Sequence, residues 1–106
     1  MERLREELSE RHRRREIFDR HKLSGPIWDI VLNLANAAAE DKPLSVSSLC
    51  MLANCPQTTA LRHIYDLERD GLLVRVRDPN DGRRRFAHLS AEGLKLMRRY
   101  LDDNDE

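Results

Sequence analysis

The sequence predicts a mainly α-helical chain with one small β-hairpin, an α+β arrangement within 106 residues. Three observations lead there. Apolar residues recur at helical spacing over residues 27–38, 60–67 and 94–101. The run Leu72-Leu73-Val74-Arg75-Val76-Arg77 has strand composition and is followed by turn residues and a second short run. Pro26, Pro43, Pro56 and Gly71 stand at the edges of these stretches, where chain breakers belong.

Residues 2–22 read as a helix dominated by charge. Leu4, Leu8, Ile17 and Phe18 form an incomplete apolar stripe, interrupted over Arg11–Arg15. So polar a helix is not stable alone and is expected to lie against a partner or to fray. Ser24-Gly25-Pro26 then gives a capping residue followed by a first-turn proline. From there Ile27, Trp28, Ile30, Val31, Leu34, Ala35 and Ala38 form a helix to about Glu40, expected to be the centre of the core. Asp41-Lys42-Pro43 breaks it. Ser45 can cap a short helix holding Val46, Leu49, Cys50, Leu52 and Ala53. Asn54-Cys55-Pro56 makes a tight turn, with Pro56 suited to the first position of a helix from Pro56 to Asp70. Ala60, Ile64 and Leu67 face its core side, and Gly71 ends it. The strand over 72–77 leads through Asp78-Pro79-Asn80-Asp81-Gly82, dense in turn residues, to a returning strand from Arg84 to Leu89. Ser90 caps a last helix with Leu94, Met97 and Leu101 on one face, and residues 102–106 read as a frayed acidic tail.

Composition narrows the chemistry. One modest core fits in this length, but not a core plus a deep substrate pocket. No nucleophile motif appears, so no catalytic residue is assigned and an enzyme is not expected. Aromatic residues make up only 5%, too few for a stacking platform on single-stranded nucleic acid. Cys50 and Cys55 lack Cys or His partners at ligand spacing, so no metal and no cofactor is expected. Cys50 reads as a buried apolar residue and Cys55 as lying near a helix start. The first 22 residues hold no apolar run, and no stretch approaches the roughly 20 apolar residues of a membrane span. A cytoplasmic protein without membrane contact is expected.

Net charge is zero, with 19 basic and 19 acidic residues, but its distribution is uneven. Residues 1–23 and 56–89 are mildly basic, and the remaining segments are mildly acidic. Phosphate binding depends on where cations sit on the surface, so a neutral total does not exclude a nucleic-acid partner.

The order of parts is the informative object: short helix, tight turn, second helix, glycine, strand, Arg-rich turn, strand. A short helix joined by a few residues to a longer one is a helix-turn-helix, whose second helix can enter the major groove of DNA. The hairpin after it is a wing, so the predicted fold is a winged helix-turn-helix. With Ala60, Ile64 and Leu67 inward, Gln57, Thr58, Leu61, Arg62 and Tyr65 fall on or near the outward face. Gln pairs with adenine, Arg with guanine, and Thr with a base or a phosphate. The wing offers Arg83, Arg84 and Arg85. Because strand neighbours alternate faces, not all three can point at DNA; Arg83, at the tip, is the best placed for a phosphate or minor-groove contact. Other readings stay open. Gln57, Thr58 and Arg62 also fit a solvated helix face, and the wing arginines also fit pairs with Asp78 and Asp81 that stiffen the turn. His63 fits a partly buried structural residue. Arg13–Arg15 fit a solvated face, a second DNA contact or the rim of a dimer contact. The rival function is a winged-helix protein-interaction module whose arginines bind an acidic partner.

The stretch from Pro56 to Met97 resembles the DNA-binding core of the MarR family of bacterial regulators. The family pattern runs through a helix with Thr and Arg, then L-E-x-x-G-L-V-x-R, D-P-x-D-x-R and L-[ST]-x-x-G. Here those residues are Thr59, Arg62, Leu67, Glu68, Gly71, Leu72, Arg75, Asp78, Pro79, Asp81, Arg83, Leu89, Ser90 and Gly93. RRREIF followed by GPIWDIVL further resembles the front of a short MarR-like group of sphingomonad-type bacteria. The resemblance implies a homodimer on a pseudo-palindromic site in double-stranded DNA. Gln57, Thr58, Thr59, Arg62, Arg83 and Arg84 are then the candidate DNA contacts, with Asp81 orienting Arg83. Two departures stand out: Gly82 where many members carry another Arg, and Leu61 where a small polar residue is usual. Typical members continue beyond the position of Glu106 into a helix that completes the dimer. Dimerisation is therefore expected to fall on residues 1–23, alone or together with the helix that starts at Ser90, with residues 24–101 forming the winged helix-turn-helix. The family's ligand pocket is expected to be small or absent, and nothing in the sequence supports a small-molecule effector.

Overall fold

The computed structural model describes residues 1–18, 23 and 25–103. Its elements are α1 (Glu2–Ile17), α2 (Pro26–Ala39), β1 (Leu44–Ser45), α3 (Val46–Leu52), α4 (Gln57–Arg69), β2 (Leu73–Asp78), β3 (Asp81–Leu89) and α5 (Ala91–Asp103). The mainly α architecture with a small antiparallel sheet matches the fold class read from the sequence. Ser24 and residues 19–22, expected as a cap and as the end of the first helix, lie outside the described residues.

α2 starts at Pro26, with Gly25 at the cap position in the left-handed region, φ 55°. It buries Ile30, Val31 and Leu34 against α3 and α4. Its end has a specific device. Asp41 adopts φ 54°, and the N–H groups of Asp41 and Lys42 donate to the carbonyls of Ala38 (3.2 Å) and Ala37 (3.0 Å). That satisfies two of the helix's orphan carbonyls in a left-handed cap, a place more often held by glycine.

Ser45 caps α3 as expected, its Oγ accepting from the Ser48 N–H at 3.1 Å. α3 stops at Leu52, which is exposed, while the extended Ala53 is buried. The two-residue strand β1 was not expected, being too short to show periodicity. It pairs with β3, Leu44 opposite Ala87 and Ser45 opposite Phe86, so the sheet order is β1-β3-β2.

Pro56 is the cap of α4 rather than its first helical residue. Its ψ of 149° is extended, and its carbonyl accepts from the Ala60 N–H at 2.9 Å. At the other end Gly71 has φ 81°; its N–H donates to Glu68 (3.1 Å) and the Leu72 N–H donates to Leu67 (2.9 Å). This reversal drops Leu72 and Leu73 straight into the core.

The α5 start explains L-S-x-x-G in physical terms. Ser90 Oγ accepts from the Gly93 N–H (3.0 Å) and donates to the Gly71 carbonyl (2.6 Å), while the Ser90 N–H donates to the Leu72 carbonyl (2.9 Å). Gly93 sits so close to that carbonyl that a Cβ there would lie 2.5 Å from the Leu72 oxygen. The buried face of α5 runs through Gly93, Met97 and Tyr100; Leu101, expected on it, is largely exposed. Asp102 and Asp103, expected to open the frayed tail, continue α5 as it lies along α1.

α1 joins the common core at its C-terminal end through Ile17 and Phe18. Phe18 meets Trp28 edge-on at 5.8 Å and Trp28 meets Tyr100 at 5.2 Å. The Arg13 and Arg14 guanidinium groups lie over the Tyr100 and Trp28 rings at 4.9 and 4.7 Å. Of the open readings for Arg13–Arg15, two of these residues thus help seat α1 on α2 and α5. Leu4 and Leu8 remain exposed at the far end. Among the described residues no helix is long and apolar enough to cross a membrane.

Candidate nucleic-acid interface

α4 has a clean division of faces. Ala60, Ile64 and Leu67 are buried at i, i+4 and i+7, and Gln57, Thr58, Arg62, Tyr65 and Arg69 are exposed. Thr59, Leu61 and His63 are half-buried at the margins, with Leu61 packed against the core. Gln57 and Thr58 therefore occupy the first exposed turn, with Arg62 one turn further along beside Thr58. Among the described residues no side chain caps this end of α4. Its first N–H groups and the positive end of the helix dipole are left to an external acceptor such as phosphate.

The far half of α4 is tied to the hairpin. Arg75 Nε donates to both Glu68 carboxylate oxygens at 3.1 Å, and its Nη2 lies 3.0 Å from Oε1. The same guanidinium covers the Tyr65 ring at 4.8 Å. Glu68 and Arg75 of L-E-x-x-G-L-V-x-R are thus accounted for as a brace between helix and strand, and Tyr65 is half-covered by it.

The wing is built on Asp78, a carboxylate only 3% exposed at the base of the turn. Its Oδ1 accepts the Asn80 N–H at 2.8 Å, and its Oδ2 takes Arg84 Nε at 2.9 Å and Nη2 at 2.8 Å. The Asn80 N–H bond holds this carboxyl below its ordinary titration range; burial opposes it, and the Arg84 guanidinium adds to the lowering. Arg84 also covers Phe86 at 5.3 Å. The structure thus places Arg84 in the turn-stiffening pair that stood as one reading of the wing arginines. Asp81 accepts the Arg83 backbone N–H at 3.0 Å, so it fixes the chain at Arg83 and not the guanidinium itself.

Arg83 is exposed, and its guanidinium has no partner among the described residues. β3 opens at Asp81, three residues earlier than expected, because Asp78 pairs with Asp81 across a register shift between Arg77 and Asp78. That register sets Arg77 directly opposite Arg85. Like charges in a direct cross-strand pair repel, and among the described residues Arg85 reaches only the Gly82 carbonyl, at 3.3 Å. Arg77 was not singled out from the sequence; counting back from the turn would have found it only once the hairpin register was known. Among the described residues no group of three or more His, Cys, Asp or Glu could hold a metal ion.

These features have counterparts in known proteins. Residues 23–93 match the family model described as a winged helix DNA-binding domain. The chain belongs to this winged helix DNA-binding family. Within it, the resemblance to MarR-type regulators is borne out by named relatives. The chain is 34% identical over 92 residues to the homoprotocatechuate degradative operon repressor of Escherichia coli, a match spanning 87% of this chain and 60% of the relative. Among solved structures, the PcaV transcriptional regulator of Streptomyces coelicolor is 30% identical, with a TM-score of 0.61 over 74% of this chain and 55% of that one. The MepR–DNA complex of S. aureus, at 21% identity, shares the fold with a TM-score of 0.73 over 96% and 81% of the two chains. The winged helix chain described here spans 60% of the length of the curated relatives it matches.

Proposed function

We propose that this chain is a sequence-specific regulator of transcription that binds double-stranded DNA, with α4 in the major groove and the β2–β3 wing on the backbone or minor groove. The observation that carries this reading is the uncapped, polar start of α4, exposing Gln57, Thr58 and Arg62 on a domain of DNA-binding family. Gln57, Thr58 and Arg62 are assigned to base edges, Thr59 to a phosphate beside the helix start, and Arg83 to a phosphate or the minor groove. Arg84 acts through Asp78 by holding the turn, and Asp81 through the Arg83 backbone. Arg77 and Arg85 join the contact set, because a phosphate between them would relieve their mutual repulsion.

Two copies are proposed to act together through α1, where Leu4 and Leu8 are 59% and 62% exposed, and through Leu101 at the end of α5. The experiment is selection of bound sequences from a random duplex pool. Enrichment of an inverted repeat with half-sites about one helical turn apart supports both the DNA reading and the dimer. A pool that stays random sinks specific readout, and a single unrepeated half-site sinks the dimer.

A further inference from the structure

The exposed row of α4 runs through Thr58, Arg62, Tyr65 and Arg69 at helical spacing. Arg69 is engaged within the chain, 3.3 Å from Asp66 and 3.7 Å from Asp70. Tyr65 is 47% exposed, and its hydroxyl makes no hydrogen bond among the described residues. Its ring, by contrast, is braced. The Arg75 guanidinium lies 4.8 Å from the ring centroid, and Glu68 holds that guanidinium in turn through Nε and Nη2. Tyr65 thus sits in the notch where α4 meets the wing, with its ring fixed from β2 and its polar tip unused. Arg75 shares a face of β2 with Arg77, roughly 7 Å away at two residues' rise, so the notch lies at the root of the row that carries the Arg77–Arg85 pair.

We propose that the Tyr65 hydroxyl is a phosphate contact for the DNA strand that crosses this notch, with Arg75 as its positioning residue; the contact rests on the DNA-binding reading. One sugar-phosphate strand separates the major groove from the neighbouring minor groove. A chain with α4 in the major groove and its wing on the backbone or in the minor groove must let that strand pass between helix and wing, where Tyr65 stands. The Glu68 carboxylate lies in the same notch, and left unpaired it would repel a phosphate. Arg75 neutralises it, at 3.0 Å from Nη2 to Oε1. The neutral phenol O–H then donates to a phosphate oxygen, a charge-assisted bond that fixes the register of the protein on the duplex without reading sequence. Because Arg75 already holds the ring, little side-chain freedom is lost when DNA arrives.

The test compares the full native chain with Tyr65→Phe and Arg75→Lys on duplexes of unrelated sequence over a range of salt. Tyr65→Phe keeps the ring and removes only the hydroxyl. It should weaken binding about tenfold on every duplex and leave the salt slope unchanged, because the lost donor is neutral. Arg75→Lys keeps the charge but not the flat guanidinium that braces the ring. It should also weaken binding at constant slope, and cost nothing further when combined with Tyr65→Phe. Circular dichroism checks that the variants fold. Native affinity in Tyr65→Phe overturns the contact. So does a loss that depends on sequence, which marks base readout, or a flattened slope, which marks displaced arginines. Losses from the two changes that simply add overturn the positioning role of Arg75 alone. A native chain that binds no duplex removes the DNA-binding reading and this contact with it, an outcome seen before any variant is compared.

Discussion

Replacing Gly93 with alanine probes the joint on which the wing and α5 both depend. The added Cβ would lie 2.5 Å from the Leu72 carbonyl oxygen, 3.4 Å from its carbon and 3.3 Å from Leu89 Cδ2. The first neighbour is backbone and cannot swing aside. That same carbonyl accepts the Ser90 N–H, and Ser90 in turn holds Gly71 and Gly93, so displacement strains three hydrogen bonds together. Inserting a methyl group into a packed site costs about 1–3 kcal/mol, and a backbone neighbour at this distance puts the cost in the upper part of that range, about 2–3 kcal/mol. The helix propensity of alanine returns about 1 kcal/mol at most. The expected net loss is about 1–2 kcal/mol, or roughly 5–15 °C in Tm for a domain of this size. Thermal and urea unfolding followed by circular dichroism measure it. Gly82→Ala is the control, since nothing lies within 4 Å of a Cβ there; its effect should stay within about 0.5 kcal/mol. A Gly93→Ala chain as stable as the native one would refute the close-packing argument.

Asp41→Gly should stabilise the chain by about 0.5 kcal/mol: relief of the left-handed strain exceeds the entropy that glycine adds to the unfolded state. A lowered Tm would count against it. Asp78 has a depressed folded pKa, so the stability it lends the wing is fully present above its unfolded value, near 4, and is lost as pH falls below that point. The protection of the Asn80 amide, its exchange rate taken relative to the intrinsic rate at each pH, should fall in that acid range and stay constant between about pH 5 and 8; loss of protection on the alkaline side instead would contradict the sign. Arg62→Ala should relax preference at one base pair by roughly 1–3 kcal/mol, whereas Arg83→Ala should weaken all duplexes about equally. Identical effects from the two changes would mean that the docking geometry is wrong.

Much of this was legible in the sequence because strong local signals agreed. Ile30, Ile64 and Leu67 lie buried where the 3.6-residue period put them, and Ser45, Gly71 and Ser90 act at the helix ends where their chemistry belongs. What escaped was set by tertiary contact. β1 exists only because β3 offers it a partner. Leu101 turned outward because Tyr100 is held by Trp28 and Arg13. Arg84 and Arg77 changed places in the functional reading for the same reason. One is drawn down onto the buried Asp78, and the other is set opposite Arg85 by a register that composition cannot reveal.

The most direct test of the central proposal is the salt dependence of binding to duplex DNA. Each phosphate neutralised contributes about −0.9 to the slope of log K against log salt. With Arg83 and the Arg77–Arg85 pair on the backbone, the native slope should be about −2 or steeper per chain, and Arg83→Ala should flatten it by about 1. A slope near zero, or no binding at low salt, would contradict the reading of α4 and the wing as a DNA-binding surface.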